Sequence, residues 1–372
     1  MVYLDNAAST PMSTKAIDVM TKTMATVYAN PSSIHTYGRE AAKIIRQARN
    51  KIADLLQVSK DEIIFTSGGT EGNNTAILGY ALANMNTGKH IISTSIEHHS
   101  VLHTLDYLRE KFDFEITLIE PDLDGHINPA KIEEALRDDT ILVSTMYANN
   151  EIGYILPIED IGAILKNHQA SFHVDAVQVI GKISVNPKKL GIDFMTASAH
   201  KFHGPKGVGF LYANSNKFDN LLHGGDQEDT RRAGTENTPA ITSMAYALTE
   251  SYENLEEDYD YITNLKNHFF KRIDKLNYYS NEVTPSLAHI VNIGFPGYNH
   301  DLLLMKLDLV GIAISAGSAC TAGANNPSHV LASIYGKDSP RLQENIRISF
   351  SNFNSLDDID FLADKLIEII GE

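Results

Sequence analysis

One cysteine, Cys320, stands in 372 residues. A single thiol excludes an internal disulfide framework and any metal site built from several cysteines, and no metal is expected. Positive charge is the second shortage: 31 Lys and Arg face 47 Asp and Glu, for a formal charge of -16. The acidic residues are spread along the chain rather than gathered in a tail. Such a surface lacks a cationic stripe for nucleic-acid phosphates, so no direct nucleic-acid partner is expected, while a basic protein partner suits it. No apolar run approaches the roughly 18 residues of a membrane span. The opening "MVYLDNAAST" has neither the basic nor the apolar region of a secretory signal, so the expected location is the cytoplasm. Internal repeats and low-complexity segments are missing too.

What is present is a composition 43% hydrophobic and 21% charged, which is that of a globular chain with a large core. Short β-rich runs alternate with helical patterns through the first two-thirds. "EIIFT" (62–66), "HIIST" (90–94), "ITLIE" (116–120), "ILVSTM" (141–146), "SFHV" (171–174) and "DFMTAS" (193–198) are read as strands. The alternation predicts an α/β fold, a mostly parallel sheet with helices on both faces. "GVGFLYA" (207–213) is a further strand, compatible with an antiparallel direction. Residues 237–276 read as helical. A shorter set follows, with strands "HIVNIGF" (289–295), "GIAIS" (311–315) and "NIRISF" (345–350) and a helix around 300–309. The last helix places Leu356, Ile359, Leu362, Leu366 and Ile370 on one face, with Ser355 as N-cap and Gly371 as stop. We expect a large domain over 15–250 and a smaller α/β domain from 1–14 and 251–372 that carries the cysteine segment.

The chemistry concentrates at strand ends. Asp175 closes "HVD" and Lys201 follows "DFMTAS" directly. Ligand sites in open α/β sheets form at such ends. A lysine able to form a Schiff base and a carboxylate able to keep a pyridine nitrogen protonated are what pyridoxal 5'-phosphate needs. An isolated pair of this kind is ordinarily a surface lysine and a loop aspartate. Lys206 is a rival for the imine, although "GPKG" reads as a turn. "FTSGGTEGNN" (65–74) adds a glycine turn that opens a helix near Thr70, a place for phosphate, and Ser198 and His200 are positioned to complete the cradle. "EHHSVL" sets two histidines after a strand, and one of them could lie over an aromatic cofactor. "YANNEIG" puts two amides at a strand end, where capping is the plain alternative.

Together with "YLDNAAST", "NPSSIHTYG", "HGGDQE", "RAGTEN", "SAGSACTAG" and "IRISF", in this order, the chain resembles the cysteine desulfurases of the NifS/IscS type. These are class V aminotransferase-like, fold-type I pyridoxal-phosphate enzymes, and "GSACTAG" is similar to the first of their two groups. The resemblance implies that Lys201 forms the Schiff base, Asp175 pairs with the ring nitrogen, and Gln178 and Asn150 meet its phenolic oxygen. His98 aligns with the stacking histidine, and His99 with a variable position. Gly69, Thr70, Ser198 and His200 match the phosphate cradle. Thr235 matches a residue reaching the phosphate of a neighbouring subunit, which implies a homodimer. Arg347 matches the arginine that clamps the substrate carboxylate, a role its bidentate fork suits, with Asn150 beside the substrate.

The activity implied is conversion of L-cysteine to L-alanine. Lys201 would move the Cα proton, His98 would assist proton transfer, and Cys320 would take the sulfur as a persulfide. The acceptor implied is an iron–sulfur scaffold protein or a tRNA-thiolating enzyme. A selenocysteine lyase or a class V aminotransferase is the alternative within the same fold. Gly317 and Gly323, with small side chains between them, predict a mobile cysteine loop. Two departures from the family pattern stand out. "GGDQEDTRR" (224–232) replaces Gly, Arg and Gly of the family segment by Asp226, Asp229 and Thr230. The sequence also ends about one residue after its last helix, without the longer tail some members use to dock a scaffold.

Overall fold

The computed structural model describes residues 1–214, 217–317 and 327–371; Cys320, expected to be catalytic, lies outside them. The strands are β1 (Val2–Tyr3), β2 (Ile63–Thr66), β3 (His90–Thr94), β4 (Glu115–Ile119), β5 (Thr140–Met146), β6 (Ser171–Asp175), β7 (Phe194–Ser198), β8 (Gly209–Ala213), β9 (Tyr279–Ser280), β10 (Ile290–Gly294), β11 (Ile312–Ala313) and β12 (Asn345–Ser349). The helices used below are α1 (Thr14–Thr26), α2 (Thr36–Leu56), α3 (Gly69–Asn74), α4 (Tyr80–Asn84), α5 (His99–Phe112), α6 (Pro129–Ala135), α7 (Ile158–Leu165), α8 (Thr238–Glu253), α9 (Leu255–Arg272), α10 (His300–Leu309), α11 (His329–Tyr335), α12 (Arg341–Glu344) and α13 (Leu356–Ile370).

A seven-stranded sheet runs in the order β2-β8-β7-β6-β5-β3-β4. The strands between β7 and β4 pair in parallel, and β8 lies antiparallel to both β2 and β7. Every residue of β3, β5, β7 and β8 is buried, because apolar layers cover both faces. Alternate residues go to opposite layers. Ile63, Phe65, Phe210 and Tyr212 join one cluster with Ile52 of α2, Leu165 of α7 and Met244 of α8. Ile64 and Leu211 join the other, with Val101 and Leu105 of α5. The α/β architecture and the antiparallel β8 are those expected.

A three-stranded antiparallel sheet, β12-β10-β9, and the parallel pair β1-β11 form the second assembly. Its core joins Leu4 to Leu265, Phe269, Val291, Leu303, Ile348 and Leu362. The N-terminus is thereby stitched to the far end of the chain. The helical stretch expected over 237–276 is two helices, because Asn254 (φ -107, ψ 11) ends α8 and starts α9. "GIAIS" forms a strand only over Ile312–Ala313, and Ser315 adds a separate antiparallel bridge to Arg347. In α13 the Ser355–Asp358 capping box forms, and Ile359, Leu362 and Leu366 are buried. Leu356, in the first turn, stays 48% exposed. Among the described residues no helix is long and apolar enough to cross a membrane.

Candidate active site

Because β3, β5, β6 and β7 run parallel, their carboxyl ends share one edge. His98 emerges after β3, Asn150 after β5, Asp175 ends β6 and Ser198 ends β7. His200 and Lys201 occupy the turn after β7, and Gly69 follows β2. These residues, with Thr70, Gln178 and Arg347, line one cavity of about 180 Å³ that opens to solvent. Of the expected site residues, it lacks only Thr235 and the undescribed Cys320.

One end of the cavity is backbone. The helix opens at Gly69, one residue before Thr70, after Gly68 at φ +147. No side chain caps that end, so its first N–H groups are not met by a capping oxygen. A Cβ on Gly69 would meet Val177 Cγ2 at 2.9 Å, so the close approach requires glycine.

Asp175 is aimed by two bonds. Its Oδ2 accepts from Asn73 Nδ2 at 2.7 Å, and Oδ1 from the Val177 N–H at 3.0 Å. Gln178 Nε2 donates to the Ala7 carbonyl at 3.1 Å, while its buried Oε1 has no partner. Lys201 Nζ donates to the carbonyls of Ala7 and, at 3.0 Å, Ala8. The rival Lys206 is exposed and does not line the cavity.

His98 is the N-cap of α5. Its Nδ1 accepts from the Ser100 N–H at 3.1 Å, which leaves the proton of the neutral ring on Nε2. Burial holds its pKa below the ordinary histidine value; the Asp175 carboxylate opposes that and the Lys201 charge reinforces it. His200 is pushed down to about 4, by burial first and by Lys201 and Lys206 next. His99 packs away from the cavity, 4.8 Å from His329 and 5.1 Å from His103 between ring centres. The two amides of "YANNEIG" divide their duties. Asn149 Oδ1 accepts from the Glu151 and Ile152 N–H groups, the capping role, while Asn150 lines the cavity.

Arg347 is 1% exposed. Its Nη2 is paired with Asp5 Oδ1 at 2.8 Å and its Nη1 donates to the Asn150 carbonyl at 2.9 Å, while Nε has no partner. Asp5, Asn73 and Ser100 were not singled out from the sequence. All three lie inside the motif segments quoted above, which was the available signal.

Thr235 is exposed and lines a separate hollow with Ser67, Glu228 and Arg232. The atypical segment beside it is well anchored. Glu228 accepts from both Arg49 Nη groups at 2.7 Å and from the Phe65 N–H at 2.9 Å. Glu228, Asp229 and Thr230 all have positive φ, of 52°, 54° and 67°.

The aminotransferase class-V signature matches residues 2–362. The putative cysteine desulfurase IscS 1 of Bacillus subtilis is 44% identical over 99% of this chain and 98% of its own length. The cysteine desulfurase IscS of Dictyoglomus turgidum is 42% identical over 99% and 94%. A solved NifS-like protein superposes with a TM-score of 0.92 at 36% identity, covering 100% of this chain and 99% of that one. The structure of SspA in complex with cysteine gives 0.85 at 35% identity, covering 95% and 100%. This chain belongs to the class-V aminotransferase family, among its cysteine desulfurases of the NifS/IscS type.

Proposed function

We propose that this chain is a pyridoxal 5'-phosphate-dependent cysteine desulfurase that converts L-cysteine to L-alanine and holds the sulfur as a persulfide on Cys320. The observation that carries the reading is the convergence of Asp175, Lys201 and Arg347 on one cavity at the sheet's carboxyl edge. The residues present fit the cofactor. The glycine-tight opening at Gly69, with Thr70, Ser198 and His200, suits a phosphate. The doubly hydrogen-bonded Asp175 suits a ring nitrogen that must stay protonated, and the unpartnered Gln178 Oε1 shows a buried polar atom with room for a ligand. His98 and Asn150 flank the same space. When bound, the cofactor supplies an electron sink that makes the substrate Cα–H acidic.

The chain's own residues do the rest. Arg347 binds the substrate carboxylate through its fork, with Nε unpartnered. Lys201 Nζ takes the Cα proton and returns it. His98 lines the cavity with a hydrogen-bond donor at Nε2, and its ring passes a proton on only after it has first taken one up. The Cys320 thiolate takes the substrate sulfur; the C–S bond breaks, its electron pair stays with carbon, and a proton completes alanine. One cysteine thus yields one alanine and one persulfide.

The unit is a homodimer in this reading. Thr235 and Arg232 lie outside the cavity that holds Lys201, and Tyr28, Ile34 and Tyr37 present 77%, 91% and 63% of their surface. The two-domain division at 15–250, and at 1–14 with 251–372, is supported by the core that joins Leu4 to the residues after 265. The acceptor is an iron–sulfur scaffold or a tRNA-thiolating enzyme, and the location is the cytoplasm.

The test is incubation of the pyridoxal-phosphate-loaded protein with L-cysteine and dithiothreitol, measuring alanine and sulfide. Equal yields are expected, with neither formed by Cys320→Ala or Lys201→Ala. Undiminished sulfide from Cys320→Ala would overturn the reading. Activity confined to selenocysteine, or amino transfer to a keto acid, would favour the alternatives within the fold.

A further inference from the structure

Both flanks of the cysteine segment meet at one buried carboxylate. Glu151 is 1% exposed and follows Asn150, which lines the substrate cavity. Its main chain is fixed on both sides: the N–H donates to Asn149 Oδ1 at 2.8 Å, and the carbonyl accepts from Asn292 Nδ2 of β10 at 3.1 Å. Its Oε2 accepts from the Ser328 hydroxyl. Ser328 Oγ is also the N-cap of α11, accepting from the Leu331 N–H at 3.1 Å. On the other flank, Gly317 holds φ +56, and a Cβ built there would lie 3.5 Å from both Glu151 Oε2 and Ser328 Cβ. No more than a methyl's width therefore separates Gly317 from the carboxylate and from the opposite flank. Each flank is also tied to the cavity wall. Ser315 and Arg347 exchange main-chain hydrogen bonds at 2.6 and 3.2 Å. His329 Nε2 donates to the carbonyl of Glu97, one residue before His98, at 2.8 Å.

We propose that Glu151 is a positioning residue for sulfur transfer, its carboxylate clasping the two flanks, Gly317 and Ser328, between which Cys320 lies. A carboxylate taken out of water is costly unless its oxygens are hydrogen-bonded. A leucine or methionine in its place would avoid that cost, but could not accept from Ser328. Inside the protein the Glu151–Ser328 bond has little water to compete with it, so it holds more firmly than a bond at the surface. Bringing together the ends of a stretch of chain costs conformational entropy. The clasp settles that cost when the protein folds, before the substrate arrives. Placement matters steeply for reacting groups, since a displacement of about 1 Å costs about 100-fold in rate. Glu151 is not among the residues lining the substrate cavity, so it acts through the two flanks and not on the substrate.

The proposal rests on the reading of Cys320 as the sulfur acceptor, and its test separates the two. Two rates are compared in the pyridoxal-phosphate-loaded protein. The first is exchange of the L-alanine Cα proton in heavy water, followed by NMR, which needs Lys201 but not Cys320. The second is persulfide formation from L-cysteine in a single turnover, read by protein mass; with one cysteine in the chain, the added sulfur has one place to go. Glu151→Ala should slow the second rate about 10- to 100-fold and leave the first within about twofold. Ser328→Ala should slow it in the same sense. Glu151→Gln, whose amide oxygen still accepts from Ser328, should restore most of the rate. Persulfide formation at the parent's rate in both alanine variants, or an equal fall in both rates, overturns the proposal. A parent that exchanges the alanine proton but forms no persulfide would sink the desulfurase reading instead. Hydrogen exchange at the Leu331 N–H would then still test the clasp: it should be faster in Glu151→Ala, and unchanged exchange overturns it.

Discussion

Arg347 and Asp5, 342 positions apart, form an ion pair at 2.8 Å in the wall of the substrate cavity. Ser315 Oγ also donates to Asp5 Oδ1, at 2.9 Å, so the carboxylate ties the two ends of the chain together. The cation that we propose binds the substrate carboxylate therefore already has an internal counter-ion.

Asp5→Asn should destabilise the protein by about 3 kcal/mol, because a buried guanidinium loses its compensating charge. A carboxylate ligand should restore part of that loss. Urea denaturation with and without saturating L-alanine checks both: the alanine-dependent gain should be larger in Asp5→Asn than in the parent. An equal gain would show that Asp5 and the substrate carboxylate do not share Arg347.

Arg347→Lys retains charge but not the planar fork. Losing one charge-assisted hydrogen bond should raise KM for L-cysteine by about 10- to 100-fold. kcat should change less, since the carboxylate is held alike before and during reaction. Steady-state kinetics distinguish this from a fall confined to kcat.

Thr230 holds φ 67°, in the left-handed region, where the family pattern has glycine. A β-branched residue is strained there. Thr230→Gly should stabilise by about 1 kcal/mol after the added freedom of the unfolded chain is discounted. Denaturant midpoints check it, with unchanged desulfurase activity expected because Glu228 keeps its bonds to Arg49.

His173 is fully buried, bonded to Ser144 Oγ at 2.8 Å, and burial pushes its pKa down to about 3. Unfolded, it titrates near ~6.5. The unfolded chain thus binds a proton that the folded chain refuses. The stability is whole above about pH 6.5 and is lost as pH falls through that value, at about 1.4 kcal/mol per pH unit. Glu97 acts in the opposite sense: burial raises it to about 8, so its contribution fades as pH rises towards that value. Comparing the parent with His173→Asn isolates the histidine. The difference between their unfolding free energies should grow more favourable to the parent from pH 5 to 7.

Local pattern carried much of the fold. Most of the strands β2 to β8 were legible because strands buried on both faces are rich in apolar and β-branched residues, while the partly exposed edge strand β4 kept a β-branched run. The end of α13 was legible for the same local reason, Ser355 and Asp358 being within one turn. The break at Asn254 was not, since the residues on both sides favour helix and only packing selects the bend. At the site, the strand-end positions of Asp175 and Lys201 followed from the alternation of elements, and the individual roles came from resemblance.

The sequence by itself determined the fold class and the family, and it pointed to Asp175, Lys201 and Arg347 as candidate site groups, because each depends on residue type and short-range order. Only the tertiary structure decided which partners those groups meet. Asp5 on Arg347, Asn73 on Asp175 and Lys182 behind Lys201 are contacts between segments that nothing local connects. A side chain's charge, orientation and proton affinity depend on what burial sets beside it, and burial is a property of the packed whole.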